Sequence, residues 1–265
     1  MKEKAYTLFI SFFVIFTSAT VIIAIILVYG QFNNQKNVYE PKNLQASIIL
    51  EESDDFGDEY IKNIIFLGES TTYGLKHYGV LDGGVNTTQV WTGGKMENGV
   101  AKTTGTLSLS PNISSAKIFY PDTREILTIS SAIDIKSPEY LIITLGLNNG
   151  VSYYTESEFK SCYSSLLDTI KNSNNPPKII LQSIFPVSRR CSITAFTPER
   201  IKKCNEWIYE LAKQYNIKYL NTYEILADTE GYLYEYYENG DGIHLNKQGL
   251  EAVINYIKHH GYSGV

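Results

Sequence analysis

Three short segments of this 265-residue chain carry the side chains that acyl transfer uses. The first is Ile64-Ile65-Phe66-Leu67-Gly68-Glu69-Ser70-Thr71. Its apolar run reads as a buried strand, a glycine releases the chain, and a serine follows where a helix begins over 71–75. Ser70 then stands at the C-terminal edge of a sheet and at a helix N-terminus, where unpaired backbone N–H groups favour developing negative charge. A plain N-cap is the other reading of that serine. The second segment, Gly146-Leu147-Asn148-Asn149-Gly150, places an amide just beyond the apolar run 140–145. The third, Asn239-Gly240-Asp241-Gly242-Ile243-His244, sets a carboxylate and an imidazole in one short loop. Taken singly, Asn148 and Asp241 could be turn residues and His244 a loop histidine. Together they supply a nucleophilic oxygen (Ser70), a base for its proton (His244) and a carboxylate to orient the ring (Asp241). The Ser70 N–H, Asn148 and one glycine N–H could hold an oxyanion.

The elements that must position these groups are legible from periodicity. Strands are expected over 63–67, 140–145, 178–183 and 217–220, each rich in Ile, Leu, Val or aromatics. Between them lie amphipathic helices with clear starts. Thr155 and Glu158 form a capping box ahead of Phe159, Tyr163, Leu166, Leu167 and Ile170. Thr197 caps the next helix with Pro198 in its first turn, and a last helix is expected over 246–260. Strands separated by helices of this length imply crossovers, a parallel sheet and a three-layer α/β domain. The stretch 76–125, rich in glycine, reads as the second sheet strand plus a long insertion. Short β-like pieces are expected there at 106–109, 117–120 and 125–129.

Ahead of this domain, residues 5–30 contain no charged side chain, about the length that spans a bilayer as a helix. Residues 1–30 are therefore expected to be an uncleaved membrane anchor, with a cleaved leader as the alternative. Lys2 and Lys4 place the N-terminus in the cytoplasm and the bulk of the chain outside it. Residues 31–59 read as an acidic polar linker, with an apolar interruption at 47–50 that could pack on the domain, and 60–265 as the folded domain. The net charge of −5, without a Lys/Arg cluster, argues against nucleic acid as a partner. Cys162, Cys191 and Cys204 have no Cys-x-x-Cys spacing, so neither a zinc site nor a redox motif is indicated, and free thiols are expected.

The three segments resemble the SGNH hydrolases, also called the GDSL family of esterases and lipases. Gly68-Glu69-Ser70-Thr71 matches their first block, Gly146-Leu147-Asn148 their third and Asp241-Gly242-Ile243-His244 their fifth. The resemblance implies a flavodoxin-like α/β/α sandwich and no cofactor. It implies Ser70 as nucleophile, His244 as base, Asp241 as its orienting acid and Asn148 as an oxyanion donor. Two positions depart from the pattern: Glu69 stands where Asp is usual, and Asn149 where Asp often follows the third-block Asn. The second block is indistinct. Gly93 is the first choice for its N–H donor, with Gly94 and Gly105 behind it. Trp91, beside that block, and Tyr237, in the aromatic run before Asp241, are expected to face substrate. His77, His259, His260, Arg189 and Arg190 are expected to serve surface or packing roles.

The expected activity is that of a membrane-anchored extracytoplasmic serine esterase removing an O-acyl group, acetyl foremost, from an envelope glycan or other carbohydrate. An O-acyltransferase with the same triad, a lipid or lysophospholipid esterase and a noncatalytic carbohydrate-binding relative are the alternatives.

Overall fold

Strands with no polar alternates are stable only where both faces of the sheet are covered. The structure of the protein, a computed structural model that describes residues 48–262, meets that condition. In chain order its elements are helix α1 (Gly57–Lys62), strand β1 (Ile64–Gly68), α2 (Ser70–His77) and β2 (Val90–Trp91). Two hairpins follow, β3 (Gly94–Glu97) with β4 (Val100–Thr103), and β5 (Lys117–Tyr120) with β6 (Glu125–Thr128). Then come α3 (Ile129–Lys136), β7 (Tyr140–Thr144), α4 (Glu156–Lys171), β8 (Lys178–Gln182) and α5 (Pro198–Tyr215). The domain closes with β9 (Lys218–Leu220), α6 (Tyr223–Leu226) and α7 (Lys247–Lys258).

Five strands form one sheet in the order β2-β1-β7-β8-β9, every neighbouring pair parallel. Counted along the chain, that is the flavodoxin-like order 2-1-3-4-5. The order reverses between β1 and β7, and open α/β sheets present ligands at the carboxyl ends of strands at such a reversal. Alternate strand residues feed two cores. Ile65, Leu67, Leu141, Ile143 and Leu181 pack with residues of α3, α4 and α5, such as Ile133, Leu166 and Ile208. Ile64, Phe66, Ile142 and Ile180 pack on the other face with Leu75 of α2 and Leu250, Val253 and Ile257 of α7. The three layers follow from this alternation.

The expected strands and caps are present. Thr155 and Glu158 make the full capping box, Thr197 accepts from the Arg200 N–H, and Asn246 caps α7 through the Gly249 N–H. The insertion differs from expectation in three places. Its sheet strand is only Val90–Trp91, at the edge beside β1. Residues 106–109 form no strand, because the Thr106 carbonyl is taken by the lone Gly93 N–H, although Leu107 and Leu109 are buried. A helix, α3, follows β6 directly; Thr128 starts it by accepting from the Ser131 N–H. Cys162, Cys191 and Cys204 are all free thiols.

The linker expectation needs correction at its C-terminal end. Ile49 bridges Tyr219 in parallel, and the Leu50 N–H and Tyr219 N–H donate to Tyr219 O and Ile48 O, both at 2.9 Å. Ile48 and Leu50 are buried, and Ser53 N–H reaches His259 O. Residues 48–50 therefore belong to the folded body, and the exposed stretch after them is tied to it through the Ser53 and Phe56 N–H groups. The expected anchor and residues 31–47 lie outside the described residues; among the described residues no helix is long and apolar enough to cross a membrane. A chain beginning at residue 60 should unfold at lower urea than one beginning at residue 48. The expected loss is about 3 kcal/mol or more, since burying each of two aliphatic side chains contributes about 1.5–3 kcal/mol. Equal midpoints would mean that the added edge contributes nothing.

Candidate active site

The first site residue is freed from a capping role by its neighbour. Glu69 is the N-cap of α2 and makes no side-chain capping bond, so Ser70 is the first helical residue. Its Oγ lies 2.8 Å from His244 Nε2. Space for this approach comes from Gly68, where a Cβ would stand 2.1 Å from Thr72 Oγ1 and 2.5 Å from the Thr144 carbonyl. Only a glycine lets α2 cross so closely over the ends of β1 and β7.

His244 is fixed on its other side. Its Nδ1 lies 2.7 Å from Asp241 Oδ2, while Asp241 Oδ1 accepts the backbone N–H groups of Ile243 and His244, each at 2.8 Å. The tautomer that fits both ring contacts carries its proton on Nδ1 and offers the Nε2 lone pair to the Ser70 hydroxyl. Partial burial works to raise the Asp241 carboxyl. The backbone N–H and ring of His244 and the Ile243 N–H outweigh it, holding the carboxyl at about 2. Asp241 is thus an anion at neutral pH. Its loop is held in turn by Glu238, a buried carboxylate whose Oε1 accepts the Gly240 and Gly242 N–H groups, both at 2.6 Å. Gly242 has φ +85°, and a Cβ there would stand 2.8 Å from the Cys191 backbone, so this position requires glycine.

Asn148 sits at the carboxyl end of β7, the strand paired with β1. Gly146 (φ +124°) and Asn149 (φ +65°) turn the chain sharply around it; asparagine tolerates this left-handed backbone better than most residues. The Leu147 and Asn148 N–H groups both donate to the Glu69 carboxylate, at 2.9 and 2.8 Å. The Asn148 amide Nδ2 donates one hydrogen to Thr106 Oγ1 at 2.9 Å. Glu69 is 1% exposed. Burial pushes its carboxyl up to about 8, against the Asn148, Leu147 and Gly146 N–H groups, which favour the anion.

The structure thus brings Ser70, His244 and Asp241 into one hydrogen-bonded line and sets Asn148 on the neighbouring strand end. Two sequence expectations are overturned. Gly93 is not a free donor: its N–H goes to the Thr106 carbonyl at 3.0 Å, because the β3–β4 hairpin closes there. Gly94 packs on the β5 backbone, where a Cβ would stand 2.4 Å from Phe119 N. Gly105 lies near Tyr73 of α2, where a Cβ would stand 3.8 Å from the ring, and its N–H donates at 2.9 Å to Thr103 Oγ1, which also bonds Thr92 Oγ1. Trp91 is not a substrate platform: it is fully buried and packs edge-on against Tyr120. Tyr237 is half-buried, in contact with Tyr234 and Tyr236, and its carbonyl accepts the Asn246 N–H. His77 is exposed beside Tyr78, His260 is stacked on Tyr256, and Arg189 pairs with Asp228 and Glu230. Sequence reasoning missed the parts played by Glu69, Glu238 and Thr106. Each acts on a loop through backbone or amide groups, and only the Gly-rich character of those loops hinted that something must hold them.

The sequence pattern described as the GDSL-like Lipase/Acylhydrolase family matches residues 66–252. A search of curated proteins found no match. Among solved structures, one described as a lipolytic protein of the G-D-S-L family from Desulfitobacterium hafniense DCB-2 is similar with a TM-score of 0.50 at 17% identity, over 74% of this chain and 97% of that one. Another, described as a platelet activating factor from Streptococcus pneumonia, has a TM-score of 0.50 at 16% identity, over 91% and 97%. At these identities the likeness is one of fold.

The Asp241 contacts set an acid limit on stability. With an ordinary value of 3.8 and a folded value of about 2, its contribution is complete above 3.8 and is lost as pH falls through 2. Urea midpoints measured from pH 5 to pH 2 should fall less steeply in Asp241→Asn than in the parent protein. Parallel profiles would show that the carboxylate is not held as described.

Proposed function

Because this chain belongs to the GDSL-like lipase/acylhydrolase family and is a serine hydrolase of that kind, we propose that Ser70 is its nucleophile, His244 its base and Asp241 the acid that orients His244. The observation that carries this reading is the continuous line from Asp241 through both ring nitrogens of His244 to Ser70 Oγ, with contacts of 2.7 and 2.8 Å. Ser70 Oγ attacks the ester carbonyl as its proton passes to His244 Nε2. The oxyanion is held by the Ser70 N–H, which as the first of α2 has no intrahelical partner, and by the free amide hydrogen of Asn148. His244 returns the proton to the departing alcohol, leaving an acyl-enzyme. Water, deprotonated by His244, then releases the acid and restores Ser70.

The substrate in this proposal is an O-acyl ester, acetyl foremost, on a cell-envelope glycan or similar carbohydrate. Two features support it. The apolar run before residue 31 suits an anchor that would hold the domain outside the membrane. The His244 and Asp241 side chains are 31% and 47% exposed, an accessible arrangement that a group on a bulky polymer can approach. The same exposure admits a second reading, in which a sugar hydroxyl replaces water at the acyl-enzyme and the protein is an O-acyltransferase.

The parent protein should hydrolyse p-nitrophenyl acetate and take up a serine-directed phosphonate at Ser70. Ser70→Ala and His244→Ala should each lower kcat at least about 10³-fold. Adding acetylated and free glycans and following acetate release or acyl-sugar formation by mass spectrometry separates the two readings. No turnover and no label would leave a noncatalytic carbohydrate-binding relative; preference for long acyl chains would favour a lipid esterase.

A further inference from the structure

Glu69 is the residue whose burial the triad does not use. It caps α2 by position but not by its side chain, and its carboxylate turns instead to a loop 78 and 79 residues away in sequence. Both oxygens are engaged, Oε1 by Leu147 N–H and Oε2 by Asn148 N–H. A carboxyl at 1% exposure loses almost all its hydration, a cost offset only where hydrogen bonds replace the water. The groups it satisfies belong to a sharp turn whose N–H groups lack a sheet partner. The Glu69 backbone points the same way: its N–H lies 3.4 Å from the Thr144 carbonyl, the last residue of β7.

We infer that Glu69 is a positioning residue for the oxyanion hole: one carboxylate, peptide-bonded to the nucleophile, clamps the backbone of the donor Asn148. Thr106 completes the clamp by taking one amide hydrogen of Asn148, so that the other is aimed rather than free to rotate. The inference rests on the proposed roles of Ser70 and Asn148. Its consequence is specific. Loosening the clamp weakens an interaction that matters when charge develops on the substrate oxygen, not when the ester binds.

The test is a double-mutant cycle in the full-length protein with p-nitrophenyl acetate, joined to amide hydrogen exchange. Glu69→Gln keeps one acceptor and turns a donor toward the other N–H. It should lower kcat about 10- to 100-fold, up to the lower end of the ~10²–10³-fold cost of removing an oxyanion donor outright, with KM little changed. Glu69→Asp keeps both oxygens and should retain more activity than Glu69→Gln. Asn148→Ala should lose comparable activity, and Glu69→Gln with Asn148→Ala should be no worse than Asn148→Ala alone. The Leu147 and Asn148 amides should exchange faster in Glu69→Gln while the urea midpoint shows a folded protein. Losses that multiply in the double variant, or a Glu69→Gln protein with unchanged kcat, would overturn the inference; if Glu69→Gln does not fold, Glu69→Asp carries the same cycle. A parent protein without turnover would defeat the proposed function instead, and the exchange rates would still decide whether Glu69 holds the loop.

Discussion

The site depends on two irregular loops whose backbone N–H groups have no partner in a helix or sheet, and each loop is held by one buried carboxylate. Glu69 takes the Leu147 and Asn148 N–H groups; Glu238 takes those of Gly240 and Gly242. A turn tight enough to aim a side chain past a strand end cannot pair all its own amides, and an unpaired buried N–H is costly. A carboxyl group can accept more than one backbone N–H: Glu69 takes two adjacent amides, one on each oxygen, and Glu238 takes two on Oε1 alone. Asn148 and the Asp241–His244 pair are thus fixed by acids that do no proton transfer in the proposed reaction. The strand ends beneath them are pinned by a second buried chain, Thr144 to Gln182 to Thr222, which links β7, β8 and the turn after β9.

Environment separates the acids. Asp241 is partly exposed and receives two N–H groups and the imidazole, so it stays ionised down to about 2. Glu69 has no cation beside it among its partners and almost no water, so burial dominates and its carboxyl rises to about 8. The signs for stability are opposite. Asp241 adds stability above its ordinary 3.8 and loses it toward 2, whereas Glu69 is best tolerated as the neutral acid and costs stability as pH rises from 4.5 toward 8. Asp241 is bonded to an imidazole, whereas Glu69 is bonded only to backbone amides.

What could be read from sequence follows physical lines. The sheet was legible because strands covered on both faces, such as 64–68 and 140–144, leave no polar alternate, and α4 because its capping box is local. That Ser70, Asp241 and His244 come together was legible because acyl transfer restricts residue types strongly and two of the three share one loop. Trp91 and Gly93 misled for a common reason. An aromatic beside an edge strand looks the same whether it turns to solvent or core, and a glycine's N–H looks free until pairing is known; here Trp91 packs on Tyr120 and Gly93 on Thr106. Glu69 and Glu238 left no pattern because their partners are backbone amides, which every sequence has. The apolar stretch expected to pack on the domain does so at Ile48–Leu50, but its strand-like pairing with β9 was not legible beside the acidic run that follows it.

The register of the sheet explains why Glu69, next to Ser70, can reach the Asn148 loop. Parallel pairing of β1 with β7 sets Gly68 opposite Thr144, so the chains leave the sheet side by side at Glu69 and Leu145. From there β1 enters α2 within one residue, while β7 runs on through Gly146 before turning. The two chains thus start about 4.8 Å apart, one strand spacing, and the Glu69 side chain ties the loop after β7 to the start of α2. A side chain projecting from Glu69 must reach past Leu145 and Gly146 to the amides of Leu147 and Asn148. The additional methylene of glutamate over aspartate extends that reach along the direction in which the β7 chain has advanced.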